Sequence, residues 1–80
     1  MKLWLLRPRK RRTGKDPWSP WYDKAFGFVV RAHTAQQARA LAVARAGAEG
    51  DEAWTAQYST CVRLTEDGEE GVVMEDFHSA

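Results

Sequence analysis

The clearest periodic pattern along the chain is a two-residue alternation over positions 24–32, which predicts a β-strand. Successive side chains of a strand point to opposite faces, so every second residue shares a face. One face of this strand carries Phe26, Phe28, Val30 and Ala32. The opposite face carries Gly27, Val29 and Arg31.

A second strand is predicted at residues 2–7, where both faces are apolar. Leu3 and Leu5 face one side, and Trp4 and Leu6 face the other. Apolar residues on both faces are typical of a central strand that is covered on both sides. Pro8 is expected to end this strand, because proline has no N–H to donate to the sheet.

A helix is predicted after position 33 from its start and stop signals. Thr34 is a favourable N-cap, Gln37 completes a capping box with it, and Gly47 is expected to end the helix in a left-handed conformation. The residues expected to face the core are Ala35, Ala38, Leu41, Ala42 and Ala46. Those expected elsewhere on the helix are Gln36, Arg39 and Val43.

The second half of the chain is less regular. Residues 48–55 are an acidic connection that contains Trp54, and residues 58–64 are either a strand or a short helix capped by Ser59 and Thr60.

A turn and a last strand complete the prediction. Asp67 and Gly68 are a strong turn signal, and residues 71–77 predict a strand after it. The order β-β-α-β-β predicts an α+β fold, a small antiparallel β-sheet with one helix packed on one face.

Length and cysteine content indicate the class of protein. Eighty residues predict a single domain over 1–80, which we expect to be a monomer. The lone Cys61 allows no intrachain disulfide, which favours a reducing compartment. The apolar run near the start is too short for a signal peptide or a membrane span, so the expected location is the cytoplasm of a bacterial host, with no membrane contact.

Charge is strongly polarised along the chain, although the net charge is only +1. Residues 1–48 contain eleven Lys or Arg and two acids, a net charge of +9. Residues 49–80 contain nine acids and one Arg, a net charge of −8. Opposite patches of potential indicate charged partners, but the two halves attracting each other within the fold is an equally physical explanation.

The residues with catalytic potential do not form a recognisable constellation. Cys61, His33 and His78 are too few and too irregularly spaced for zinc, and nothing in the sequence pairs the thiol with an imidazole. Residues 47–50 have the spacing of a phosphate-gripping GxxG loop, but Glu49 would repel a phosphate. We therefore predict no catalytic residues, no metal, no cofactor and no enzymatic activity.

Three exposed features have binding potential instead. A basic loop consists of Arg7, Arg9, Lys10, Arg11, Arg12 and Lys15. So dense a run of cations is either a contact for a negative partner or a mobile, solubilising loop. An aromatic segment follows it and contains Trp18, Trp21 and Tyr22. These rings either contact a partner or cover the second face of the sheet.

The third feature is acidic. A predicted hairpin tip carries the carboxylates of Glu66, Asp67, Glu69 and Glu70. Such a cluster either imitates the phosphates of a nucleic acid or is simply a solvated turn.

Three stretches carry a resemblance to known proteins: MKLWLLRP, DPWSPWYDKAFGFVVRA and YSTC…DGEEGVVMEDF. Together they resemble small phage and prophage accessory proteins over most of the chain. The basic insert RKRRTGK departs from the more acidic stretch expected there. In size and character the chain is similar to anti-CRISPR inhibitors of type I effectors, such as type I-C.

The resemblance implies a non-enzymatic protein that binds Cascade, the RNA-guided surveillance complex, and blocks its binding to target DNA. The residues of the chain are compatible with such a protein–protein or protein–ribonucleoprotein contact. The alternative is a phage accessory protein that binds nucleic acid directly through its basic loop. Even under the first hypothesis, weak and non-specific nucleic-acid binding by that loop is expected.

Overall fold

The computed structural model describes residues 1–9, 24–47 and 49–76. Within these residues it has three strands: β1 (Lys2–Pro8), β2 (Phe28–Ala32) and β3 (Ser59–Leu64). One α-helix, α1 (Ala35–Ala44), follows β2, and a 3₁₀ helix (Asp51–Trp54) precedes β3.

β1 is the central strand of the sheet, and it pairs antiparallel with β2 on one side and β3 on the other. Leu6 lies opposite both Phe28 and Cys61, and Leu5 lies opposite both Val29 and Val62. The prediction of an α+β fold with an antiparallel sheet and one helix is confirmed, as is the central position of the first strand.

The helical side of the sheet, here called the inner face, forms the core. The core residues are Leu6, Ala32, Ala38, Ala42, Ala53 and Trp54. Trp54, predicted only as part of an acidic connection, is the largest fully buried side chain. Its ring lies edge-on to Phe28, with the ring centroids 4.8 Å apart. The short 3₁₀ helix therefore places an indole where α1, rich in alanine, leaves room.

The predicted buried face of α1 is wrong in part. Leu41 is 49% exposed, whereas Val43 packs against the core and Arg39 is half-buried. The inward side chains instead follow the helical spacing Ala35, Ala38, Arg39, Ala42, Val43 and Ala46. On hydrophobicity alone, the large apolar Leu41 is expected in the core. Arg39 faces the sheet instead, because its guanidinium group makes its hydrogen bonds on that side.

The two ends of α1 differ in how well they were predicted. The side chain of Thr34 accepts a hydrogen bond from the backbone N–H of Gln37 at 3.2 Å, as the capping prediction requires. The helix ends at Ala44 and not next to Gly47, because the N–H of Arg45 bonds to the carbonyl of Ala42 and tightens the last turn. The connection then has a positive φ of 82° at Gly50.

Two strand predictions need correction. β2 begins at Phe28 and not at residue 24. In the continued register, Phe26 would face Pro8, which has no N–H to donate, and the N–H of Ala25 bonds to Glu49 instead.

The alternatives at 58–64 are also decided. These residues form strand β3, from Ser59 to Leu64, and not a short helix. The predicted last strand is wrong for its described part, since residues 71–76 belong to no strand. Within the described residues, the order of the strands and the α-helix is therefore β-β-α-β. A hairpin with a two-residue turn at Asp67 and Gly68 would have placed Glu66 opposite Glu69, and like charges directly opposite destabilise an antiparallel pair. The consecutive apolar residues 72–74 also lack the alternation of a strand.

Candidate binding surfaces

A cluster of polar side chains lies beneath the sheet, and its bonds are all internal. The guanidinium group of Arg39 donates to the carbonyl of Trp54 at 2.8 Å. It also donates to the hydroxyl and the carbonyl of Ser59, at 2.7 and 3.2 Å. The hydroxyl of the buried Ser59 in turn donates to the carbonyl of Thr55 at 2.8 Å. This cluster ties α1 to the chain that enters β3, so its role is structural.

Glu49 is a second polar residue with a structural role, and the sequence analysis did not identify it. Its side chain is buried, with 7% of its surface exposed. One carboxylate oxygen accepts the N–H groups of Ala25 and Gly47 at 3.1 and 3.0 Å, and the other accepts the indole N–H of Trp54 at 2.7 Å. The carboxylate thus joins the segment before β2, the end of α1 and the 3₁₀ helix. The only sign of this role in the sequence is that an acidic residue stands between Gly47 and Gly50.

The residues considered for catalysis lie apart. His33 directly follows Ala32, which pairs with Lys2 of β1, whereas Cys61 pairs with Leu6. His33 and Cys61 therefore lie beside opposite edges of β1. The positions with which their strands pair are roughly 13 Å apart along β1. Burial raises the pKa of the half-buried Cys61 thiol, and the charge of Arg39 lowers it in part. His78 lies outside the described residues. In the ranges that the structure describes, no three His, Cys, Asp or Glu residues form a possible metal site.

Only the beginning of the predicted basic loop is described. Arg7 is half-buried in β1, and its guanidinium group donates to the carbonyl of Glu75 at 3.3 Å. The guanidinium Nε of Arg9 donates to the carbonyl of Ala56 at 3.0 Å. Both cations thus make bonds within the chain. The other predicted contacts lie outside the described residues: Lys10, Arg11, Arg12, Lys15, Trp18, Trp21 and Tyr22.

The predicted acidic residues are all exposed, in a segment that follows β3 without forming a hairpin. Glu66 and Asp67 line an open cleft of about 610 Å³ together with Lys2 and Arg63, so cations stand beside the first two carboxylates. Glu69 and Glu70 lie beyond that cleft. Considering the described residues alone, the negative potential is therefore expected to be strongest at the second pair.

The face of the sheet away from α1, here called the outer face, is a further surface that stands out only in the structure. Its aliphatic residues are Leu3, Leu5, Val29, Val62 and Leu64. Val29 and Val62 are each 56% exposed, and Leu3 is 37% exposed. The two-residue alternation within each strand marks these positions, but only strand order brings them together on one surface.

No helix within the described ranges is both long and apolar enough to cross a membrane. Comparison of the chain with protein-family models, with curated proteins and with solved structures found no match.

Proposed function

We propose that this protein is a non-enzymatic inhibitor that binds a type I CRISPR surveillance complex and blocks its access to target DNA. The observation that carries the proposal is the exposure of four carboxylates within five residues, at positions 66–70. The resemblance to anti-CRISPR proteins supplies the class of partner. The wide separation of Cys61 from His33 is in keeping with a protein that acts by binding.

The mechanism follows from charge spacing. Complexes that recognise DNA through a guide RNA hold nucleic acid in positively charged channels. A chain segment extends by at most about 3.5 Å per residue, so four carboxylates in five residues are on average at most about 4.7 Å apart along the chain. One strand of DNA carries a charge about every 3.4 Å along the axis. The acidic segment can thus replace a short run of phosphates and exclude DNA sterically.

The test is a gel shift of target DNA by a purified type I complex, with increasing amounts of this protein. The double substitution E69K/E70K reverses the two carboxylates outside the cleft. It is expected to raise the concentration needed for half-maximal inhibition by roughly tenfold or more, because like charges then face each other.

A matched control separates this effect from a change in net charge. D51K/E52K reverses the same number of exposed carboxylates in the 3₁₀ helix, and should change inhibition less than about twofold. If the wild-type protein neither co-elutes with a type I complex nor lowers its DNA binding, the proposed partner is wrong. If inhibition occurs but survives E69K/E70K, the acidic segment is not the contact.

The alternative function is direct binding of nucleic acid, and a separate variant tests it by the same gel-shift method. Reversal of Arg9, Lys10, Arg11 and Arg12 to Glu removes the basic run. Submicromolar binding of free DNA at physiological salt, abolished by this variant, would replace the proposed function. Binding through a few phosphate contacts alone should fade steeply as salt rises.

A further inference from the structure

The outer face of the sheet is an aliphatic surface with a single sign of charge. Leu5 lies at its centre, between Val29 and Val62 on the neighbouring strands. The charged side chains on this face are those of Arg7 and Arg31, and none of the outward positions in the three described strands is a carboxylate. A complementary surface would therefore be aliphatic and acidic.

Residues 69–76 of the same chain have that chemistry. Val72 and Val73 are 81% and 71% exposed, and Met74 is 37% exposed. They lie between two pairs of acids, Glu69 and Glu70 on one side and Glu75 and Asp76 on the other. Three consecutive exposed aliphatic residues framed by carboxylates are unusual for a solvated segment. We call residues 69–76 the acidic aliphatic segment, and we expect it to pack on an apolar surface.

One contact already joins the segment to the outer face. The carbonyl of Glu75 accepts a hydrogen bond from Arg7, and the methyl group of Met74 lies 3.5 Å from the position that a Cβ of Gly27 would occupy. This contact lies at one corner of the face and leaves Val72 and Val73 in water. Among the described residues of one chain, both the segment and the centre of the face therefore keep exposed aliphatic surface.

We propose that the outer face is a homodimer interface, in which the acidic aliphatic segment of each copy packs on the outer face of the other. A second copy is the occupant because the chain itself carries both complementary surfaces. A two-fold axis makes the exchange reciprocal and closes the assembly at two copies. This inference replaces the monomer expected from the sequence. It does not rest on the proposed CRISPR partner, although Glu69 and Glu70 belong to both proposed contacts, so sedimentation of E69K/E70K separates an effect on the dimer from an effect on inhibition.

The experiment is sedimentation velocity of the full chain over a range of concentrations. The wild-type protein is expected to reach twice its 9.1 kDa monomer mass. V29D and V62D each place a carboxylate in the middle of the interface, opposite the acidic segment of the other copy, and should raise the dimer dissociation constant about tenfold or more. Both positions are more than half exposed, so the fold itself should tolerate the change.

L41D is the matched control, because Leu41 is a comparably exposed aliphatic residue on α1, on the opposite side of the sheet. It should leave the dimer intact. V72D/V73D tests the segment, and should dissociate the dimer as V29D does. Near-ultraviolet circular dichroism of the tryptophans verifies the fold of each variant.

A wild-type chain that stays monomeric at all concentrations would overturn the proposal. It would also fail if L41D weakened the dimer as much as V29D, or if V72D/V73D left it unchanged. A monomer that instead binds an unrelated acidic peptide through Val29 and Val62 would assign the face to another partner, and would equally overturn self-association.

Discussion

The two faces of the sheet are built from similar aliphatic residues but differ in what covers them. The inner face is closed by α1 and by Trp54, and the polar groups among these elements are bonded to Arg39 and Glu49. The outer face keeps Val29 and Val62 more than half exposed. The stability of the fold therefore depends mainly on the inner face, whereas the outer face keeps apolar surface exposed that a partner can contact.

The largest expected difference between the two faces comes from removing a large side chain on each. Trp54→Ala should lower the free energy of unfolding by about 3–5 kcal/mol, because it opens a cavity beside Phe28. Val62→Ala on the outer face should cost less than about 1 kcal/mol in the monomer. Urea denaturation followed by circular dichroism measures both. Equal losses would show that the faces do not differ in their contribution to stability.

A smaller effect is expected from the polar groups on the inner side. Glu49→Ala leaves the N–H groups of Ala25, Gly47 and Trp54 without their acceptor, which should cost roughly 3 kcal/mol. Glu49→Gln keeps one oxygen but cannot accept from all three donors, so it should lose about half as much.

The control for the Glu49 variants is Glu66→Gln, which changes an exposed carboxylate and should leave the urea midpoint unchanged. If Glu49→Ala were as stable as this control, the carboxylate would not hold the three segments together. The same denaturation series therefore tests whether the inner side owes its stability to apolar packing alone.

The smallest expected effect concerns the thiol at the edge of the core. Burial raises the pKa of Cys61 in the folded state. The stabilisation of the neutral thiol is therefore fully present below the unfolded pKa of about 8.5, and is lost as the pH rises through the higher folded pKa. The difference in stability between the wild type and Cys61→Ala should shrink over that range. A constant difference from neutral pH to about pH 10 would contradict this expectation.

Local sequence signals predicted the fold best where the local pattern was unambiguous. The alternation around Phe28 and the N-cap at Thr34 correspond to observed elements. The helix face was mispredicted because hydrophobicity favoured Leu41, whereas the bonds of Arg39 to Ser59 decide which side faces the sheet. Those bonds join residues 20 positions apart, so no local pattern contains them.

The candidate surfaces were predictable to different degrees. The acidic residues around Glu69 were identified from composition and are exposed, as a charged stretch should be. The hairpin expected to present them is not formed. The outer face was not identified as a surface, because Val29, Leu5 and Val62 become neighbours only through the order of the strands.

The sequence by itself determined the α+β class, the central strand, the helix start and the separation of positive from negative charge along the chain. These properties depend on local periodicity, capping and composition, which neighbouring residues establish among themselves. Only the tertiary structure decided that Glu49 is a buried acceptor, that Trp54 fills the core and that residues 71–76 form no strand. Glu49 accepts from Ala25, 24 positions away, and the ring of Trp54 lies against that of Phe28. A polar or aromatic residue is buried only where such partners, distant in sequence, meet it.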